Sequence, residues 1–161
     1  GLGAGPHDPL YGSLEELCRA SDLVVEGTVG EAVSVTAEGS AGDEPSWLYS
    51  TDFSFVVERV LLGEETSLIT IHQTGAPGRQ ELIEDPPFRP GERYILFLRQ
   101  YEPGRFCVRG GPQGRYRIIG DRVFSMNHIA PRNVAVPPAL DVDGWQVEEL
   151  AARVSRMANG R

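Results

Sequence analysis

Histidine, serine and acidic side chains are the groups of this chain that could carry metal, nucleophilic or acid–base chemistry. The three histidines, His7, His72 and His128, stand far apart and show none of the close spacings typical of a zinc site. Gly39-Ser40-Ala41-Gly42 lacks the first glycine of the Gly-x-Ser-x-Gly turn on which many hydrolases hold their nucleophile. We therefore predict that the chain is not an enzyme and carries no metal or other cofactor.

Two acidic patterns have simpler explanations than catalysis or calcium binding. Neighbouring carboxylates such as Glu64-Glu65 point to different sides of a strand or helix, so they make a poor acid–base pair. Asp141-x-Asp143-Gly144 resembles the middle of a calcium loop, but the alignment puts Ala139 and Leu150 at the first and last ligand positions. We predict instead that Asp143 caps a helix.

Arginine supplies all 15 basic residues, and the formal net charge is −8. The segment from Arg99 to Arg122 has a surplus of arginine, interleaved with aromatic residues, and OB barrels commonly bind extended ligands with such side chains. The alternative is that alternate arginines mark the solvent side of a β-meander. A chain this acidic is a poor non-specific binder of nucleic acid, so we predict a protein or glycan partner. The candidate ligand-binding residues are Arg109, Arg115, Tyr116 and Arg117.

The elements that position these residues are mostly strands. Apolar residues take odd positions and polar residues mostly even ones from Leu23 to Glu38, which predicts a long half-buried strand that Gly27 and Gly30 allow to bend. Tyr94–Leu98 is apolar on both faces, which is typical of a central strand. This run is also the longest apolar one and is too short to span a membrane. Further strands are predicted near 49–62, 69–71, 106–108, 116–119 and 123–125.

Two helices flank the predicted strands. A capping box, Ser13 to Glu16, predicts a helix over 13–20, and apolar residues recur at helical spacing from Val147 to Met157. The length of 161 residues favours one domain. The predicted fold class is mainly β, a small closed or partly open OB-like barrel with a short N-terminal helix and a C-terminal amphipathic helix; a sandwich is the alternative. The predicted divisions are a disordered leader (1–12), the OB-like barrel (13–129), and a Pro-rich extended segment with the C-terminal helix packed on the barrel (130–161).

Four segments carry a resemblance to a known group: SDLVVEGTV (21–29), FVVERVLLG (55–63), FxPGERYILFL (88–98) and GxQGRY (111–116). In this order they resemble uncharacterised exported bacterial proteins with a domain similar to the netrin-like and tissue-inhibitor-of-metalloproteinases OB folds. The resemblance implies a closed barrel that is secreted or attached to the cell envelope. The animal inhibitors bind the protease zinc through an N-terminal cysteine, whereas this chain begins with Gly1.

The two cysteines, Cys18 and Cys107, lie far apart and form no Cys-x-x-Cys motif. Export favours a disulfide between them, joining the N-terminal helix to a late strand. The alternative is two buried thiols that pack as small apolar side chains. The predicted function is that of an exported, non-catalytic β-barrel module binding a protein or glycan partner at the cell envelope. A metallopeptidase-inhibitor-like module and an enzyme of unrecognised type are the alternatives.

Overall fold

The computed structural model describes residues 10–39, 47–129, 140 and 142–160. Strands dominate this part of the chain, and short helices lie at both ends. The strands are β1 (Leu23–Gly39), β2 (Trp47–Leu62), β3 (Leu68–Thr74), β4 (Arg93–Glu102), β5 (Arg105–Val108), β6 (Arg115–Ile119) and β7 (Arg122–Phe124). The helices are α1 (Leu14–Ala20), α2 (Met126–Ile129) and α3 (Val147–Asn159), and a 3-10 turn covers Gly111–Gly114.

Five strands close into a barrel. Their order is β1-β2-β3-β5-β4, and β4 pairs back onto β1 from Leu23↔Leu98 to Thr28↔Arg93. The β3–β5 pairing is parallel and the other pairings are antiparallel, while β6 and β7 extend the sheet from β4. The predicted OB-like barrel with one helix at each end is confirmed, and the sandwich alternative is wrong.

Strand β1 is long enough to serve two purposes. Its first residues close the barrel, and register shifts at Glu26/Gly27 and Val29/Ala32 bend it where the glycines stand. Beyond the barrel, residues 31–37 are all exposed, and Ser34 to Ala37 still pair with β2. Residues 31–37 are therefore an exposed edge of the sheet beyond the barrel, and we call them, with their β2 partners 49–52, the arm; residues 50–52 pair with β3 on their other side.

Both faces of the β4 wall are buried. Leu98 pairs with Val108 and faces the barrel interior, whereas Phe97 packs against Tyr116 with ring centroids 5.7 Å apart. The Phe97 side belongs to the core that Leu17 of α1 and Leu150 of α3 complete, each fully buried. This double burial confirms β4 as the central strand that its apolar run predicts.

The helix starts differ in detail from the predictions. The Ser13 Oγ accepts a hydrogen bond from the Glu16 N–H at 3.1 Å, whereas the Glu16 carboxylate reaches back to the Gly12 N–H at 3.0 Å. Gln146, and not Asp143, caps α3. The Asp143 cap is wrong because this carboxylate is held by the Ser125 N–H at 2.6 Å.

The predicted end segments are described in part. Residues 1–9, 130–139, 141 and 161 lie outside the described residues, as does His7. Within the predicted leader, Tyr11 is buried and pairs with Gln113 through its N–H and its carbonyl, at 3.0 and 3.2 Å. None of the helices in the described ranges has the length and apolar character that a membrane crossing requires.

Candidate functional site

The predicted arginine patch is divided between the inside and the outside of the barrel. Arg115 pairs with Leu96 in the β4–β6 register and points inward, where it is 1% exposed. Its Nη1 donates to Asp85 Oδ1 at 2.7 Å and to the Pro86 carbonyl at 2.6 Å, and its Nη2 donates to the Tyr94 hydroxyl at 2.9 Å. The guanidinium carbon lies 4.0 Å from the centroid of the Phe88 ring. The side chain is therefore enclosed by its partners.

The other three residues of the predicted patch lie in separate places. Arg117 shares the Arg115 side of β6, as predicted, and donates to Glu92 Oε2 at 3.0 Å. The Tyr116 hydroxyl points to the opposite side and donates to the Leu140 carbonyl at 2.9 Å. Arg109 Nε donates to the Ala20 carbonyl at the end of α1, at 2.7 Å. Ligand binding by these residues stays a prediction.

The predicted disulfide is wrong, because the structure contains no bond between Cys18 and Cys107. Cys18 lies on α1 and is part of the core between that helix and the barrel. Cys107 is also buried, but it lies outside this core, although its neighbours Phe106 and Val108 belong to it. The thiols therefore occupy different environments, as in the two-thiol alternative.

A polar cluster, absent from the sequence predictions, lies on the outer face of the barrel around Asp52. The Asp52 carboxylate accepts hydrogen bonds from His72 Nδ1 at 2.7 Å, from Arg105 Nη2 at 2.6 Å and from Ser34 Oγ at 3.4 Å. Arg105 Nη1 also pairs with Glu102. We call Asp52, His72, Tyr101 and Arg105 the Asp52 cluster.

Tyr101 is the aromatic surface of the Asp52 cluster. Its ring meets the His72 ring edge-on at 5.6 Å between centroids, and the Arg105 guanidinium lies 5.1 Å from its centroid. The residue keeps 36% of its surface exposed. Partial burial, followed by the negative charge of Asp52, raises the pKa of the Tyr101 phenol to about 12.

Serine and threonine side chains surround the Asp52 cluster at paired positions of β1, β2 and β3. Ser34 pairs with Asp52 and Thr36 with Ser50 across the arm, while Ser50 pairs with Thr74 and Ser54 with Thr70 across β2 and β3. The intervening residues, Thr51, Phe53 and Phe55, are buried. Successive strand residues point to opposite faces, so the hydroxyl side chains share the outer one. We call this surface the hydroxyl face: Ser34, Thr36, Ser50, Ser54, Thr70 and Thr74, all exposed or half-buried.

The sequence alone predicts part of the hydroxyl face. Alternation in β2 already separates Ser50, Asp52 and Ser54 from the apolar residues, but it does not reveal which residue lies opposite Asp52. His128, the other histidine that the structure places, stacks on Phe124 at 4.6 Å. Within the described ranges, no three His, Cys, Asp or Glu side chains are grouped as metal ligands.

We predict that Tyr101→Phe removes a tyrosine that ionises late in an alkaline titration. The folded-state pKa of about 12 lies above the ordinary value of 10.0, so the neutral phenol is favoured by the fold. This contribution to stability is complete below the ordinary value and is lost as the pH rises through the folded value. Ultraviolet absorbance of tyrosinate, followed as the pH is raised, measures the ionisation of Tyr101. A variant titrating identically to the wild type would contradict the assignment.

No protein-family profile matches the sequence, and no curated protein matches it significantly.

Proposed function

We propose that this chain is an exported, non-catalytic OB-like module that binds a glycan on the hydroxyl face and the Asp52 cluster. The observation that carries the proposal is the array of aligned hydroxyl groups around a half-exposed tyrosine and an ion pair. Export is supported by the resemblance of segments 21–29, 55–63, 88–98 and 111–116 to exported bacterial proteins.

The Asp52 cluster offers the groups that a sugar ring needs. A pyranose has an apolar face of C–H groups, which packs on an aromatic ring such as Tyr101, and a rim of hydroxyl groups. The rim can donate to the Asp52 carboxylate and accept from the Arg105 guanidinium, and both are charge-assisted hydrogen bonds. A few convergent polar groups beside an aromatic surface are typical of small-ligand sites.

The hydroxyl face favours a linear and uncharged polymer. Its rows follow β2 and β3 from the barrel onto the arm, so consecutive sugar units can contact successive rows. Arg105 pairs with both Asp52 and Glu102, so one positive charge offsets one of the two carboxylates and the net charge of the three side chains is small. The exposed apolar side chains at the barrel end of the face, Val56 and Leu68, form only a small patch, whereas the core of a protein–protein interface is usually more apolar.

The test measures binding of soluble cellohexaose, chitohexaose and maltohexaose by calorimetry. We expect at least one of them to bind, and Tyr101→Ala to weaken that binding by about tenfold or more, because a stacking surface is lost. Tyr49→Ala is the matched control: this tyrosine also lies under an arginine, Arg79, with 5.8 Å between guanidinium carbon and ring centroid, but it belongs to the other face of β2.

Three results would contradict the proposal. The first is that none of the three oligosaccharides binds. The second is that Tyr49→Ala weakens binding as much as Tyr101→Ala does. The third is that the wild-type protein releases one of the sugars in chemically altered form, which would show that the chain is an enzyme.

A further inference from the structure

One side of β1 has no strand beside it beyond the barrel. Strand β2 follows β1 along nearly its whole length, whereas β4 pairs with the other side only as far as Thr28. Val29 adds hydrogen bonds with Gly91 and Glu92 on that side. Farther along, no strand in the part of the chain that the structure describes pairs with this side, and residues 31–37 are all exposed. We call residues 31–37 on this side the β1 edge.

The main-chain groups of Val35 and Ala37 point to the β1 edge. Tyr49 on β2 donates its N–H to the Gln80 side chain, and its carbonyl accepts from the Gly75 N–H, so both groups are turned away from β1. Residues directly opposite in an antiparallel pair exchange both hydrogen bonds or neither, and the two cases alternate along the strand. Ala37 lies opposite Tyr49, and Val35 lies two residues before Ala37. The N–H and carbonyl groups of both residues are therefore directed away from β2.

The β1 edge lacks two features that usually keep an edge strand from pairing with another chain, namely charged side chains and prolines. Residues 32–37 contain neither, and Val33 and Val35 are 60% and 47% exposed. Register shifts interrupt the pairing of β1 with β2 before Ser34, and none follows within the arm. The regular part of the β1 edge is therefore short but open to an added strand.

We propose that the β1 edge binds the β1 edge of a second copy of this chain, so that the two arms form one antiparallel sheet around a two-fold axis at Thr36. In this register Val35 of each copy lies opposite Ala37 of the other, and each pair exchanges both hydrogen bonds. The two pairs give about four main-chain hydrogen bonds. Thr36 lies opposite Thr36 of the second copy, and such threonine pairs stabilise antiparallel strands.

The arrangement of the β1 edge favours a second copy over an unrelated strand. Its outward donors and acceptors lie on either side of Thr36, so a single two-fold rotation matches each donor with an acceptor. The same rotation puts apolar Val35 beside apolar Ala37. Glu31 lies beyond the paired residues, so this carboxylate is not buried against the other copy. The contact uses main-chain groups at the edge of the sheet, and the proposal does not depend on glycan binding.

The first experiment is sedimentation equilibrium over a series of protein concentrations. It is done in physiological salt, where the Debye length is about 8 Å, because the formal charge of −8 on each copy opposes association. We expect a reversible monomer–dimer equilibrium, and a weak one, because the paired strands are short compared with a permanent dimer interface.

Val35→Pro tests the β1 edge directly. Proline removes the outward N–H of this residue but no hydrogen bond to β2, and prolines are tolerated on edge strands. We expect the dimer dissociation constant to rise about tenfold or more, because each copy loses one donor. Val35→Thr is the matched control: it keeps the N–H and the branched shape, so it should dimerise nearly as the wild type does. Circular dichroism checks that both variants are folded.

The register is tested by cross-linking under mild oxidation, with both native cysteines buried. The two Thr36 Cα atoms of the proposed dimer lie about 4.5 Å apart, within the range of a disulfide. The two Ser34 Cα atoms are separated by four residues of strand, about 13 Å. We therefore expect Thr36→Cys to form a covalent dimer at least about tenfold faster than Ser34→Cys.

Three results would overturn the proposal. A wild-type protein that is monomeric at every concentration would leave the β1 edge to a different chain. A dimer of unchanged strength in folded Val35→Pro would show that another surface forms it. Equal cross-linking of Thr36→Cys and Ser34→Cys would exclude the register, and this comparison decides the question if Val35→Pro does not fold.

Discussion

Arg115→Ala is expected to lower the free energy of unfolding by about 3–5 kcal/mol, as removal of one partner from a buried ion pair typically does. The substitution leaves the Asp85 carboxylate and the Pro86 carbonyl without their donors at 2.7 and 2.6 Å. The same segment contributes Phe88, which lies beneath the guanidinium and packs edge-on against Phe53 at 5.8 Å. Arg115 therefore fastens the chain between β3 and β4 to the barrel interior.

Urea denaturation followed by circular dichroism measures this loss. Asp85 keeps 20% of its side chain exposed, so partial rehydration of the carboxylate favours the lower end of the range. Arg117→Ala is the control on the same side of β6; its side chain is 27% exposed and pairs with Glu92, and we expect a loss of about 1 kcal/mol. Equal losses in the two variants would contradict the fastening role of Arg115.

Gly27→Ala is expected to destabilise the protein by roughly 3 kcal/mol or more, because a side chain does not fit between β1 and β2. A Cβ atom at this position would lie 2.1 Å from the Val56 carbonyl oxygen and 2.6 Å from the Phe55 ring. The first of these is a backbone atom of the paired strand, which can move only if the β1–β2 pairing moves with it. Thermal unfolding followed by circular dichroism measures the effect.

Gly30→Ala is the matched control on the same strand. A Cβ at Gly30 would meet the Ser54 Oγ at 2.2 Å, and this hydroxyl can turn away by rotation about its side-chain bond. We expect a loss of about 1 kcal/mol, measured in the same way. A Gly30 variant as unstable as the Gly27 variant would show that conformational freedom of the strand, and not the close approach at Gly27, decides the result.

The pattern of apolar and polar residues was sufficient to predict the strands, the helices and the barrel. The alternation from Leu23 to Glu38 predicted β1 with its bends, and the doubly apolar run in β4 predicted a strand buried on both faces. Both are local properties, because side chains on a strand alternate with period two wherever the strand lies. The Asp143 cap was wrong for the complementary reason: the Ser125 N–H that holds this carboxylate comes from a distant part of the chain.

The arginine patch shows where alternation is ambiguous. Arg115 and Arg117 do share one side of β6, but the pattern cannot say whether a polar side faces solvent or a buried partner. Tertiary structure decides it, because the segment that brings Asp85 and Phe88 encloses Arg115.

The sequence by itself determined which residues form strands, which faces are apolar and that the sheet closes with a helix at each end. Only the tertiary structure decided which residues meet: Asp52 with His72 from β3, and Asp52 with Arg105 from β5. The physical reason is that strand pairing joins residues far apart in the chain. The parallel register of β3 with β5 depends on closure of the whole barrel, and no local pattern records it.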